Sequence, residues 1–232
     1  MLTWNVGEVY WPWHGNQLKD RDVPYVAETL RAIDADVVLL QELAHDGQLR
    51  AICGETYLGS TPRCCGYDRH VAVLVRASLR PTFGEALLEP TTRGVVWADL
   101  AFHGRSVRAV SLHFDVFNPG RRLAQARAAV KTFATDADLV VAGGDLNYDP
   151  NASRRLHRFV DAETEAVLTG ALVDVAEGSG PTLVGLLRVD RIFAGGPALG
   201  RARAAVAPQR TKLGDHAPLV CALDIAEVDA TS

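Results

Sequence analysis

Polar and acidic residues at the ends of six short strand-like segments constrain this chain more than any other feature of its sequence. Leu2-Thr3-Trp4 runs into Asn5, Val37-Val38-Leu39-Leu40 into Gln41-Glu42, and Val107-Arg108-Ala109-Val110-Ser111-Leu112 into His113. Leu139 to Gly144 runs into Asp145-Leu146-Asn147, Asp190 sits in Arg188-Val189-Asp190-Arg191-Ile192-Phe193, and Asp215-His216 in Gly214-Asp215-His216-Ala217-Pro218. Short runs rich in β-branched residues and bounded by turn formers read as strands. Loops at the ends of neighbouring strands gather their side chains in one cleft. Carboxylates, imidazoles and Asn amides collected in that way suit a metal site with oxygen ligands and acid/base partners.

Further β-rich runs lie at Val71 to Val75, Val95 to Leu100 and Leu219 to Leu223. Helical periodicity appears over Arg121 to Phe133, where Leu123, Ala126, Ala129, Val130 and Phe133 share a face behind an Asn118-Pro119-Gly120 turn. A second helix is expected over Val23 to Ile33, with Pro24 in its first turn. This mixture predicts an α/β protein with largely buried sheets. Periodicity does not separate one doubly wound sheet from two stacked sheets flanked by helices. With no internal repeat or long linker in 232 residues, one domain over residues 1–232 is expected.

A formal net charge of -4 sets aside the global basic excess of proteins that grip long duplex DNA, so any nucleic-acid contact must be local. No apolar stretch approaches the roughly 20 residues that span a bilayer. Met1 to Asn5 enter the first strand directly, so no secretory leader is expected. Cys53, Cys64, Cys65 and Cys221 lack zinc-site spacing and read as reduced, packed thiols, which fits a cytoplasmic protein.

The segments Thr3-Trp4-Asn5, Leu40-Gln41-Glu42, Ser111-Leu112-His113, Gly144-Asp145-Leu146-Asn147, Val189-Asp190-Arg191-Ile192 and Gly214-Asp215-His216-Ala217-Pro218 occur in the order, and at spacings compatible with, those of a known family. The chain thereby resembles the endonuclease/exonuclease/phosphatase superfamily over essentially its whole length. The resemblance implies a four-layer α/β/β/α sandwich of two mixed sheets flanked by helices, with the site at one end of the sheets. It implies Glu42 as the principal Mg²⁺ ligand, Mn²⁺ being able to substitute, with Asn5 beside it and Asp215 completing the metal-side network. Asp145 would orient or deprotonate the attacking water, and Asn147 would hold that water or a phosphate oxygen. Asp190 would fix the ring of His216, which contacts the phosphate or handles a proton, and His113 would donate to a non-bridging oxygen or assist the leaving group. The general base stays open between Asp145 and His216. Two departures stand out: Gly7 where many members carry an acid, and Gly214 where Ser is common.

The function expected is Mg²⁺-dependent hydrolysis of a phosphate ester, foremost a phosphodiester in DNA, RNA or a nucleotide-like molecule. A phosphomonoesterase or lipid-headgroup phosphodiesterase is a second reading, and a catalytically silent binding scaffold a third. Buried carboxylates and imidazoles cost desolvation energy that a mere scaffold has no need to bear. Trp11 and Trp13, in Tyr10-Trp11-Pro12-Trp13-His14, could stack on bases or could simply cover a sheet end. Arg210 and Lys212, and also Arg63, Arg69, Arg121 and Arg122, are candidates for substrate phosphates.

Overall fold

The structure is a computed structural model that describes residues 1–7, 17–63, 70–153, 159–207 and 213–226. Among these, twelve strands form two six-stranded sheets. The first sheet holds β1 (Leu2–Asn5), β2 (Val37–Leu43), β3 (Tyr57–Ser60), β4 (His70–Arg76), β11 (Leu199–Val206) and β12 (Leu219–Ile225), ordered β11-β12-β1-β2-β4-β3. The second holds β5 (Thr82–Leu87), β6 (Gly94–Phe102), β7 (Arg105–His113), β8 (Leu139–Asp145), β9 (Val173–Asp174) and β10 (Asp190–Gly195), ordered β5-β6-β7-β8-β10-β9. Both sheets are mixed, because β1 pairs with β2 and β7 with β8 in parallel while the other pairings are antiparallel.

The side-chain alternation of the strands explains the layering. In β2, Val38 and Leu40 face α1 (Val23–Ile33) and α2 (Asp46–Cys53), while Leu39 points the other way into the space between the sheets. Val73 and Val75 of β4 likewise meet Val96, Ala98 and Ala109 from the second sheet. On the far face of that sheet, Val110, Leu112, Val140 and Ala142 pack under α3 (Pro119–Phe133) and α4 (Ala162–Thr169). Three apolar layers therefore separate helices, sheet, sheet and helices, the α/β/β/α sandwich expected. No described helix is long and apolar enough to cross a membrane.

The expected helix over Val23 to Ile33 is observed with those ends. The helix expected from Arg121 begins earlier, at Pro119: the Asn118 side chain accepts from Arg121 N as its N-cap, and Pro119 takes the first-turn position where a missing N–H costs nothing. What reads as a preceding turn is the start of the helix. Cys53 and Cys221 are free and buried; Cys64 and Cys65 lie outside the described residues.

Candidate active site

Three adjacent strands of the second sheet bring His113, Asp145 and Asp190 onto one rung, since His113 pairs with Asp145 and Asp145 with Asp190. The rung depends on Gly144, whose φ is +150° and whose Cβ, were it present, would lie 1.8 Å from the Leu112 carbonyl oxygen. No other residue allows β7 and β8 to approach so closely there. In the first sheet Asn5 pairs with Gln41, and the β2/β4 register shifts between Leu40 and Leu43. Glu42 sits in that irregularity with φ of 66°, a left-handed conformation that turns its carboxylate out of the strand's alternation. Asn147 is left-handed as well, at φ 55°. Such conformations cost free energy and gather at functional sites.

The side chains converge on Asp145. Its Oδ2 accepts from Asn5 Nδ2 at 3.0 Å and lies 3.7 Å from both His113 Nε2 and His216 Nε2. Its Oδ1 accepts from the Asn147 backbone N at 2.9 Å. Glu42 Oε1 is 3.8 Å from His113 Nε2. His216 Nδ1 is 2.7 Å from Asp190 Oδ2, a hydrogen bond that fixes the ring. Asp215 reaches His216 Nε2 at 3.8 Å and is more exposed than its neighbours. Asn5, Glu42, His113, Asp145, Asn147, Asp190 and His216 are all buried. The structure thus brings together every described residue that the motifs single out, and it sets Asp215 against His216. The Asn147 side chain donates one amide hydrogen to the Phe114 carbonyl at 3.1 Å.

Burial dominates the electrostatics. Desolvation pushes the Asp145 carboxyl up to about 6, with Asp190 adding to the shift while His216 and Asn5 oppose it. For His216 burial acts downward, but the carboxylates of Asp190, Asp145 and Asp215 outweigh it and hold the imidazolium up at about 10. This crowd of hard oxygen donors, with no thiolate among them, fits a divalent cation. Two placements are geometrically open. One uses Glu42 with Asn5, and the other uses Asp145, Asp190 and His216, whose donor atoms can lie within 4.8 Å of one another. Asp190 Oδ1 is buried with no hydrogen-bond partner among the described residues.

Several residues hold this arrangement without being prominent in the motifs. Trp4 Nε1 donates to the His216 carbonyl at 3.1 Å, tying the first strand to the last motif. Thr182 Oγ1 accepts from Asp190 N at 3.1 Å. Gln41 reaches Thr3 and, across the sheets, Ser111, so it braces the interior. Trp4 and Gln41 stand inside recognisable segments, whereas Thr182 carries no signal in the sequence. Gly214 has a structural reason: at φ 65°, a Cβ there would lie 2.4 Å from the Gly7 carbonyl oxygen, so the loops carrying Asn5 and His216 touch where a Ser would not fit.

Of the expected substrate contacts, Trp11, Trp13, Arg210 and Lys212 lie outside the described residues, as does Arg69. Arg122 is no phosphate ligand here, because it is buried and donates to Asp161 Oδ2 at 2.8 Å, tying α3 to α4. Arg121 is exposed and lies 3.6 Å from Asp115.

A family profile described as the Endonuclease/Exonuclease/phosphatase family matches residues 2–216. No sequence match was found among curated proteins. Among solved structures, an endonuclease/exonuclease/phosphatase from Bacteroides vulgatus superposes with TM-score 0.75 at 18% identity, covering 97% of each chain. TDP2 from C. elegans gives TM-score 0.73 at 18% identity, over 96% of this chain and 74% of that one. A mannosyl-6-phosphatase from Bacteroides thetaiotaomicron gives 0.67 at 17% identity, over 96% and 98%. At such identities the likeness is one of fold.

Proposed function

The chain belongs to the endonuclease/exonuclease/phosphatase family, and we propose that it is a Mg²⁺-dependent phosphodiesterase working from one domain, with nucleic acid or a nucleotide-like ester as substrate. The observation that carries this reading is the Asp145 carboxylate, buried and held between the Nε2 atoms of His113 and His216 at 3.7 Å from each. Such a group can hold water against a phosphorus while two imidazoles serve the oxygens around it.

Glu42, with Asn5 beside it, would hold the cation. When bound, Mg²⁺ or Mn²⁺ supplies Lewis-acid polarisation of a phosphoryl oxygen. Asp145 orients the attacking water and accepts its proton; Asn5 Nδ2 and Asn147 N fix the carboxylate so that one face stays turned to the cleft. His216 commits Nδ1 to Asp190 and offers Nε2 to a phosphoryl oxygen, as a clamped imidazole does in other hydrolases. Asp215 belongs with His216 in this scheme. His113 offers Nε2 to the second oxygen or the leaving group. Asn147 positions the water or a phosphate oxygen.

A diester carries one negative charge where a monoester carries two. Glu42, Asp145, Asp190 and Asp215 surround the site with carboxylates, so the less charged ester is the easier guest. A mannosyl-6-phosphatase shares the fold, and monoester hydrolysis is therefore the alternative to exclude. The test is hydrolysis of bis(p-nitrophenyl) phosphate, p-nitrophenyl phosphate, supercoiled DNA, abasic-site duplex and RNA, each with Mg²⁺, Mn²⁺ or EDTA. EDTA-sensitive cleavage that favours diesters supports the reading. Turnover of the monoester alone, or none with either metal, overturns it.

A further inference from the structure

A three-residue hairpin loop beside His216 places a branched residue where its backbone disfavours one, and apolar side chains where they are exposed. Leu183 and Leu187 exchange backbone hydrogen bonds, N to O, at 2.9 and 3.2 Å, and Leu186 N donates to Leu183 O at 2.9 Å. The turn between them has φ of 42° at Val184 and 69° at Gly185. Positive φ at both central positions is the signature of a type I′ turn, which favours Asn-Gly. Val in a left-handed conformation is a steric outlier because its branched Cβ crowds the backbone. Yet Val184 is 60% and Leu186 68% exposed.

The loop cannot relax by turning these side chains inward. Val184 N donates to the Asp215 carbonyl at 2.8 Å and Ala217 N to the Thr182 carbonyl at 2.7 Å, and Leu183 bridges His216. The hairpin is thus stitched to the residues that carry the imidazole. Four residues after His113, in the segment that leaves β7, Phe117 is 88% exposed. It is presented by Asp115, whose Oδ1 accepts from both Phe117 N and Asn118 N. Two segments with exposed apolar residues therefore leave the same end of the sheet, from the strands that flank β8.

We propose that Val184 and Leu186, on the loop stitched to His216, form an apolar rim that receives the non-phosphate part of the substrate, and that the preferred ester carries an apolar group there. The proposal rests on the phosphoesterase reading of the site below the rim. A strained Val184 and an exposed Leu186 on a loop pinned to His216 fit a surface that is covered only when a ligand arrives.

The experiment compares bis(p-nitrophenyl) phosphate with methyl p-nitrophenyl phosphate, which share a leaving group and differ only in the spectator ester. Each is measured with Mg²⁺ on the wild type and on Val184→Asn/Leu186→Ser. Loss of an apolar contact is worth about tenfold or more in selectivity. The ratio of kcat/KM for the aryl over the methyl ester should fall by at least about that factor. Asn suits the left-handed position, so Val184→Asn alone should raise Tm, which a structural role for Val184 would not do. A ratio within twofold of the wild type, or equal loss on both esters, overturns the rim. Metal-dependent hydrolysis of neither ester by the wild type removes the phosphoesterase reading itself, and the rim with it.

Discussion

Asp190 Oδ2 lies 2.7 Å from His216 Nδ1 across 26 positions of sequence, and this contact sets the charge of the imidazole. Folding moves His216 from an ordinary value of 6.5 to about 10, because neighbouring carboxylates overcome the burial. A folded value above the unfolded one means that the pair's stabilisation is complete below about pH 6.5 and is lost as pH rises through 10. In EDTA, the Tm of the wild type should fall over that window by more than that of Asp190→Asn. Parallel Tm profiles for the two proteins would contradict the account.

Asp145 and His216 should act as one unit, because a positioned water and a charged clamp on the phosphoryl oxygens are needed together. Asp145→Ala and His216→Ala should each lower kcat by at least about 10²-fold, the lower end for removed acid/base groups. The double variant should lose far less than the product of the two. Asp190→Asn should be milder in the same direction. Near wild-type kcat in His216→Ala, with its circular dichroism unchanged, would sink the mechanism while leaving the fold intact.

What the sequence made legible follows strand position. The interior strands β2, β4, β6, β7 and β8 announce themselves as apolar runs because they are largely covered on both faces, and β12 does so through its one well-covered face. The strands that left no such trace, β3, β5, β9 and β11, are the four sheet edges. Thr82–Leu87 and Leu199–Val206 carry Glu85, Arg201 and Arg203 and alternate with solvent, as edges that resist mispairing do. The site residues were legible because strand ends concentrate them. The Asp190 contact to His216 was implied by the resemblance, but other pairings were not legible: the Asn5 bond to Asp145 and the Trp4 bond to the His216 carbonyl join distant segments, and Thr182 supports Asp190 from a loop without a motif. Arg122 shows the converse, a motif-flanking cation that tertiary packing turns inward to Asp161.

Glu42 should be the residue whose loss most weakens cation binding. Its left-handed backbone aims a buried carboxylate toward His113, and carboxylate oxygen is what a hard cation selects. By calorimetric titration, Glu42→Gln should bind Mg²⁺ at least about tenfold more weakly, near 1.4 kcal/mol, whereas Asp190→Asn should change affinity less. The reverse ranking would move the cation to the Asp145, Asp190 and His216 placement.

Arg191 follows Asp190 on β10 and points away from the cleft into the far side of the sheet. Its side chain is 1% exposed, and its guanidinium sits over the rings of Tyr148 and Phe193 at 5.2 and 4.7 Å and pairs with Glu165 and with Asp174, the latter at 2.6 Å. Arg188 adds a contact to the same Asp174 oxygen at 2.7 Å while its backbone N donates to Asp149, two residues beyond Asn147. Burial works to raise both carboxyls, but Arg191, with Arg188 at Asp174, outweighs it and holds them below their ordinary values. Depressed folded values stabilise above the ordinary carboxylate range and lose that contribution as pH falls through the folded values. Removing the cation takes the ion-pair partner from Glu165 and leaves Asp174 with Arg188 alone, and breaking a buried pair in this way costs up to about 3–5 kcal/mol. Arg191→Met should therefore lower the urea midpoint by that equivalent at pH 7 and by clearly less at pH 3, where the two carboxyls are protonated. An equal loss at both pH values would mean that Arg191 acts through packing on its aromatic neighbours rather than through charge.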